Sequence, residues 1–107
     1  MPEQTSAKSL YRSMTYRLVF REEAQKEWKA LGHTVQQQFK AKLAERLEDP
    51  HVPASRLHGV ANRYKIKLAT AGYRLVYEVR DAELVVSVIA VGRRERSQVY
   101  KAAARRR

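Results

Sequence analysis

N-R-Y-K-I-K-L-A-T-A-G-Y-R-L-V-Y, residues Asn62 to Tyr77, decides the fold. Two runs in which apolar and cationic residues alternate flank Ala69 to Gly72, the pattern of two half-buried strands joined as a hairpin. Tyr64, Ile66 and Leu68 share one face of the first strand, so Lys65 and Lys67 share the other. A four-residue loop at Ala69 to Gly72 sets Lys67 opposite Arg74 and Lys65 opposite Val76. A loop of odd length would separate Lys67 from Arg74. Like charges facing each other about 5 Å apart repel by roughly 3 kcal/mol at an effective dielectric near 20, less if their heads splay into water. That cost has a use if an anion sits between the cations. A solvated basic sheet face explains the same residues without one.

Outward from the hairpin, the apolar periods outline an α+β domain. Tyr16, Leu18 and Phe20 alternate as a strand. Ala24, Trp28 and Leu31 then recur at helical spacing, with Glu22 and Glu23 in the favourable first turn and Gly32 as the stop. Thr34 and Gln37 have the spacing of a capping box for a second helix, striped by Val35, Phe39, Leu43 and Leu47 and closed by Pro50. Helices joined this tightly should lie antiparallel on one face of the sheet, with Trp28 in the core.

His51 to Ala61 reads as a loop. After the hairpin, Leu75, Tyr77 and Val79 face the core. A tight turn near Asp81 and Ala82 would set Arg80 against Glu83. The last strand, Glu83 to Val91, would then add Leu84, Val86 and Val88 to the core face, with Ser87 and Ile89 opposite. Gly92 ends it. From about Glu95 a C-terminal helix carries only a narrow stripe of Val99, Ala102 and Ala103, and so should be weakly held and mobile. The expected architecture is a mostly antiparallel four-stranded sheet with a helix pair on one face. Residues 1–13 read as a disordered extension and residues 14–107 as the single domain.

The 107 residues hold 22 Lys and Arg against 11 acidic residues, a net charge of +11, and no cysteine. Such an excess points to a polyanionic partner, most simply nucleic acid or a ribonucleoprotein. The longest apolar run, Leu84 to Val91, is interrupted by Ser87 and falls far short of the ~20 residues that span a bilayer. No secretory leader is evident, so a cytoplasmic protein without a membrane partner is expected. Metal clusters, glycine-rich phosphate loops and nucleophile motifs are missing from the sequence, and no cofactor is expected. His33, His51 and His58 fall in caps or loops and read as surface residues, with His58 nearest the cationic strand.

What remains is a cluster of Lys65, Lys67, Arg74, Arg93, Arg94 and Arg96 with Tyr100 beside it. Arginine pairs bidentately with phosphate, and tyrosine offers a face on which a base stacks. The same set suits gripping single-stranded RNA or cutting it. Cleavage by the RNA's own 2′-hydroxyl needs a base, stabilisation of charge on the phosphorane, and neutralisation of the leaving oxygen. Fixed cations supply the second, and a lysine crowded by other cations would supply the first. The third is harder, because arginine holds its proton too strongly to be a good acid. On residues alone, binder and nuclease both stand.

The motifs Y-K-I-K-L (Tyr64 to Leu68), G-Y-R-L-V-Y (Gly72 to Tyr77) and V-G-R-R-E-R-S-Q-V-Y (Val91 to Tyr100) resemble the RelE family of toxin and antitoxin systems. K-E-W-K-A-L-G (Lys26 to Gly32) and the following helix fit the same family, so the resemblance spans about Met14 to Ala104. It implies a toxin that enters the 30S A site of the ribosome and cleaves the mRNA there, leaving a 2′,3′-cyclic phosphate. By motif, Lys67 would be the base and Lys65 would lie on the phosphates. Arg74 would stabilise the transition state, Arg94 the charge or leaving group, and Tyr100 would stack on a base. Arg93, Arg96, Lys101 and Arg63 would be further RNA contacts. The family also implies a cognate RelB-like antitoxin, with operator DNA bound only through the toxin to antitoxin complex. Some relatives carry a His where this chain has Arg93, so ordinary acid and base chemistry is in doubt and orientation by the ribosome is expected. The alternatives are a protein-targeting toxin of the same fold, like the ParE relatives, and a non-catalytic RNA or ribosome binder.

Overall fold

Four strands and three helices form three layers in a computed structural model that describes residues 15–106. The expected extension over residues 1–13 therefore lies outside the described residues. Strand β1 (Arg17–Phe20) leads into α1 (Glu22–Lys29) and α2 (His33–Glu48). Strands β2 (Arg63–Leu68), β3 (Tyr73–Arg80) and β4 (Val85–Arg93) follow, and α3 (Gln98–Arg105) closes the chain. The sheet order is β1-β4-β3-β2, antiparallel except for the parallel β1 and β4 pair.

Alternation in β2 and β3 sorts the two cores. Tyr64, Ile66, Leu68, Leu75, Tyr77 and Val79 pack beneath Phe39 and Leu43 of α2 and Ala24 of α1. Trp28 joins them, its ring 5.3 Å from Phe20 and 6.2 Å from Phe39, as its place in the apolar stripe predicts. On the opposite face Val76, Ile89 and Ala90 meet Val99 and Ala103 of α3. Gly92 permits that approach, since a Cβ there would meet Val99 Cγ2 at 3.2 Å.

Three local expectations need correction. The capping box does not form: α2 begins at His33 with Gly32 as its N-cap and no side-chain cap. Thr34 therefore sits inside the first turn, and Gln36 Nε2 donates instead to the Trp28 carbonyl at 2.9 Å, tying the helices together. The connection after β3 is longer than a two-residue turn. Asp81–Glu83 form a 3₁₀ turn and Leu84 is left-handed at φ 54°, so Arg80 pairs in register with Val85 rather than Glu83. Leu84 lies outside the strand and is half-buried.

The third correction concerns β4. Tyr77 aligns with Val88 and Val76 with Ala90, so Ile89 is an extra residue in a β-bulge. Strict alternation stops there. Ile89 and Ala90 both face α3, and Val91 returns to the core of the helix pair.

Helix α3 is tethered by more than its narrow stripe. Val99 is worth roughly 1.5–3 kcal/mol of burial, and Ala103 less. At the other end Arg63 donates to the carbonyls of Ala103 and Arg106, both at 2.6 Å. Arg106 forms a bidentate pair with Glu27 at 2.9 Å and donates to the Ile89 carbonyl. Glu27 in turn accepts from the Val91 amide at 3.0 Å, so the pair satisfies the β4 edge that β1 leaves open.

Candidate RNA-binding and cleavage site

The hairpin register is the expected one: Lys67 faces Arg74, and Lys65 faces Val76. Across β3 the same two rows continue to Gly92 and Ala90. Arg63, Lys65 and Lys67 therefore stand in line along the face of β2 that looks toward α3. Helix α3 lies over β3 and β4, which leaves the outer part of that row open.

Arg74 is only 9 % exposed, yet its one described hydrogen bond is from Nη1 to the neighbouring Tyr73 carbonyl, at 2.9 Å. Among the described residues no carboxylate pairs with Lys65, Lys67, Arg74 or Arg94. A buried guanidinium without a counterion is costly, and an incoming phosphate would relieve that cost. Arg94 sits at the same end of the sheet, its amide bonded to the Gly72 carbonyl at 3.0 Å and its side chain exposed. Gly72, at φ +74°, makes the turn that brings the two together.

Tyr100 emerges from the side of α3 nearest β2. It lines a cavity of about 190 Å³ with Leu57, His58, Val60 and Arg63. A neighbouring cavity of about 500 Å³ holds Lys65 against the Pro53 to Gly59 loop. That loop is pinned by a bridge between Arg56 and Tyr64 and by the Leu57 amide bonding to the Arg63 carbonyl at 2.9 Å. Lys65, Lys67 and Arg74 thus share a sheet face by register, with Tyr100 in the cavity beside that of Lys65, while Lys67 also lines a cavity of about 440 Å³ with Gln38, Ala41 and Lys42 of α2.

The four expected accessory contacts separate. Arg63 is turned inward, 5 % exposed, with each guanidinium nitrogen committed: to Glu78 at 3.1 Å and to the two carbonyls at the end of α3. Its geometry is that of a structural clamp, and it presents no nitrogen to RNA. Arg93 pairs with Tyr73, on the face opposite Arg74, and lies over the Tyr73 ring at 5.2 Å. Lys101 is exposed on the far side of α3, beside Glu27, Arg93 and Arg105 around a separate cavity of about 430 Å³. The Arg96 side chain lies outside what is described.

At the other end of the sheet a hydrogen-bonded chain links Tyr16, Asp81, His51 and Tyr64. The Tyr16 hydroxyl donates to Asp81 at 2.5 Å, and His51 bridges Asp81 and the Tyr64 hydroxyl at 2.8 Å each. The Asp81 carboxylate pushes Tyr16 up to about 12, while the bonds from Tyr16 and His51 hold Asp81 below its ordinary range. Burial raises Tyr77, against the opposing effect of Arg46, which donates to its hydroxyl at 2.9 Å. Among the described residues no group of three or more His, Cys, Asp or Glu side chains gathers as a metal site, and no helix is long and apolar enough to cross a membrane.

Comparison with known proteins gives the family of the chain. The family model of the ParE toxin of type II toxin-antitoxin systems matches residues 18–98. The mRNA interferase toxin RelE of Escherichia coli K12 is 55 % identical over 93 residues, covering 87 % of this chain and 98 % of that protein. An arginine-to-alanine double mutant of E. coli RelE in the free state superposes with a TM-score of 0.80 at 52 % identity, covering 85 % of this chain and 96 % of that one. RelE in the intact E. coli RelBE toxin-antitoxin complex gives 0.73 at 54 % identity, covering 76 % and 99 %. With matches of this length and identity in both sequence and fold, the chain belongs to the RelE family, within the ParE and RelE toxins of type II toxin-antitoxin systems.

Proposed function

We propose that the protein is a ribosome-dependent mRNA endonuclease that cuts in the A site and so inhibits translation. The observation that carries this reading is the row of Lys65, Lys67 and Arg74, unpaired with any described carboxylate, in a chain 55 % identical to an mRNA interferase. Lys67 takes the proton of the attacking 2′-hydroxyl and Lys65 holds the adjoining phosphate. Arg74 and Arg94 balance the charge that builds on the phosphorane, where preorganised donors act most strongly. Tyr100 stacks on a base and sets the strand's path. The products are a 2′,3′-cyclic phosphate and a free 5′-hydroxyl. Arg93, Arg96 and Lys101 act as more distant contacts to ribosomal or messenger RNA.

The partner in the cell is a RelB-like antitoxin, and operator DNA is reached through the complex of the two. The chain works in the cytoplasm, with residues 14–107 as the toxin domain and residues 1–13 as an extension. A ParE-like toxin directed at a protein is the competing reading, favoured by the name of the matching family model.

Ribosomes stalled on a defined mRNA, incubated with the protein and read by primer extension, test the proposal. New ends inside the A-site codon are expected, absent from free mRNA and from Arg94→Ala. If folded protein produces no new ends, the protein-directed reading replaces this one.

A further inference from the structure

We propose that Glu27 is a positioning residue for cleavage, acting through Arg106 to hold helix α3, and with it Tyr100, in place over the sheet. The role rests on the endonuclease reading. In that reading Tyr100 carries a base, and stacking demands a ring held in a fixed place.

Helix α3 does not set its own direction. Its eight residues would form only a marginal helix alone. The N-terminal end, where Tyr100 lies, is uncapped: Ser97 is left-handed at φ 56° and offers no side-chain hydrogen bond to the first turn. The buried stripe beneath supplies only Val99 and Ala103.

The firm anchor is at the opposite end. Both Nη atoms of Arg106 pair with Glu27, at 2.9 Å each, and Nη1 also donates to the Ile89 carbonyl. The Arg106 carbonyl accepts from Arg63, so this one residue is gripped through its side chain from α1 and through its backbone from β2. Glu27 is itself fixed, because its Oε1 also accepts from the Val91 amide at 3.0 Å. A bidentate pair sets angle as well as distance, which a single apolar contact does not.

The faces of α3 divide the work. Tyr100, Ala103 and Ala104 line one cavity, whereas Lys101, Ala102 and Arg105 line another with Glu27. Glu27 therefore lies on the other side of the helix from the ring. Its influence passes along the axis, about 9 Å from Arg106 to Tyr100 at roughly 1.5 Å per residue.

Single-turnover cleavage on programmed ribosomes tests this as a double-mutant cycle between Glu27→Gln and Tyr100→Ala. Glutamine keeps an oxygen for the Val91 amide and removes the charge that grips Arg106, so the fold should survive. Tyr100→Ala alone should cost about ten- to a hundredfold, the worth of one stacked base. With Tyr100 present, Glu27→Gln should slow cleavage roughly tenfold by misplacing the ring. In the Tyr100→Ala background the same change should cost less than about twofold. Arg106→Lys keeps the charge but cannot fork across both Glu27 oxygens, so it should give the same pattern, and it decides the matter if Glu27→Gln does not fold. Equal losses in the two backgrounds, the mark of a residue that only supports the fold, or an unchanged rate with Tyr100 present, would overturn the role. A wild type that cuts nothing ends the endonuclease reading, and this role with it.

Discussion

Arg63 and Arg74 lie on the same sheet face, both almost wholly buried, and the molecule treats them in opposite ways. Arg63 is satisfied by a carboxylate and two carbonyls, which welds β2 to the end of α3. Arg74 sits opposite another cation and, among the described residues, has one bond, to its own neighbour's carbonyl. The contrast extends to the two ends of the sheet: Tyr16, His51, Glu78, Arg80 and Asp81 are matched donor to acceptor, while the hairpin end accumulates unmatched positive charge. Charge at one end holds the fold together. At the other, on the proposed reading, it is held for an anionic ligand, which is how preorganised catalytic sites differ from structural ones.

If that division is correct, substitutions at the two arginines should damage different properties. Arg74→Ala should slow single-turnover cleavage roughly a hundred- to a thousandfold, the usual consequence of removing one charge-stabilising donor. Its melting temperature should stay within a few degrees of wild type, since no described carboxylate is orphaned. A large loss of stability with unchanged cleavage would reverse the roles assigned to the pair.

Arg63→Ala should do the converse. It strands two carbonyls near α3 and leaves Glu78 to Arg80 alone, for a loss of about 3 kcal/mol in urea denaturation. Cleavage should fall only as far as Tyr100 loses its place with α3. Stability equal to wild type would show that the clamp is dispensable.

The smallest effect belongs to the matched end. Asp81 is held below its ordinary range, so its contribution to stability is present above the usual carboxylate range and is lost as pH falls through the lowered value. Tyr16 runs the other way. Its folded value of about 12 stands above the ordinary 10.0, so its contribution is present below that ordinary value and disappears as pH rises through the folded one. Asp81 is exposed and Tyr16 only partly buried, so screening keeps the effects slight. Urea midpoints measured against pH should show a shallower acid limb for Asp81→Asn and a shallower alkaline limb for Tyr16→Phe, with neutral stability little changed.

Much of this was legible in the chain itself. The hairpin, the stripe from Val35 to Leu47, the burial of Trp28 and the meeting of Lys67 with Arg74 all follow from period and loop length. Arg63 was not legible, because its partners at Ala103 and Arg106 lie 40 and 43 residues away.

Local geometry explains what the sequence by itself determined. Side chains alternate every two residues in a strand and recur every 3.6 in a helix, so faces, stripes and a four-residue hairpin register are set by neighbours in the chain. Tertiary structure decided the rest. The bulge at Ile89 broke the alternation of β4, and Arg93 ended on the Tyr73 face instead of beside Arg74. Glu27 and Arg106, 79 residues apart, closed the open edge of β4. Buried polar groups must find partners wherever the packed chain brings them, and period alone does not say which distant residue will arrive.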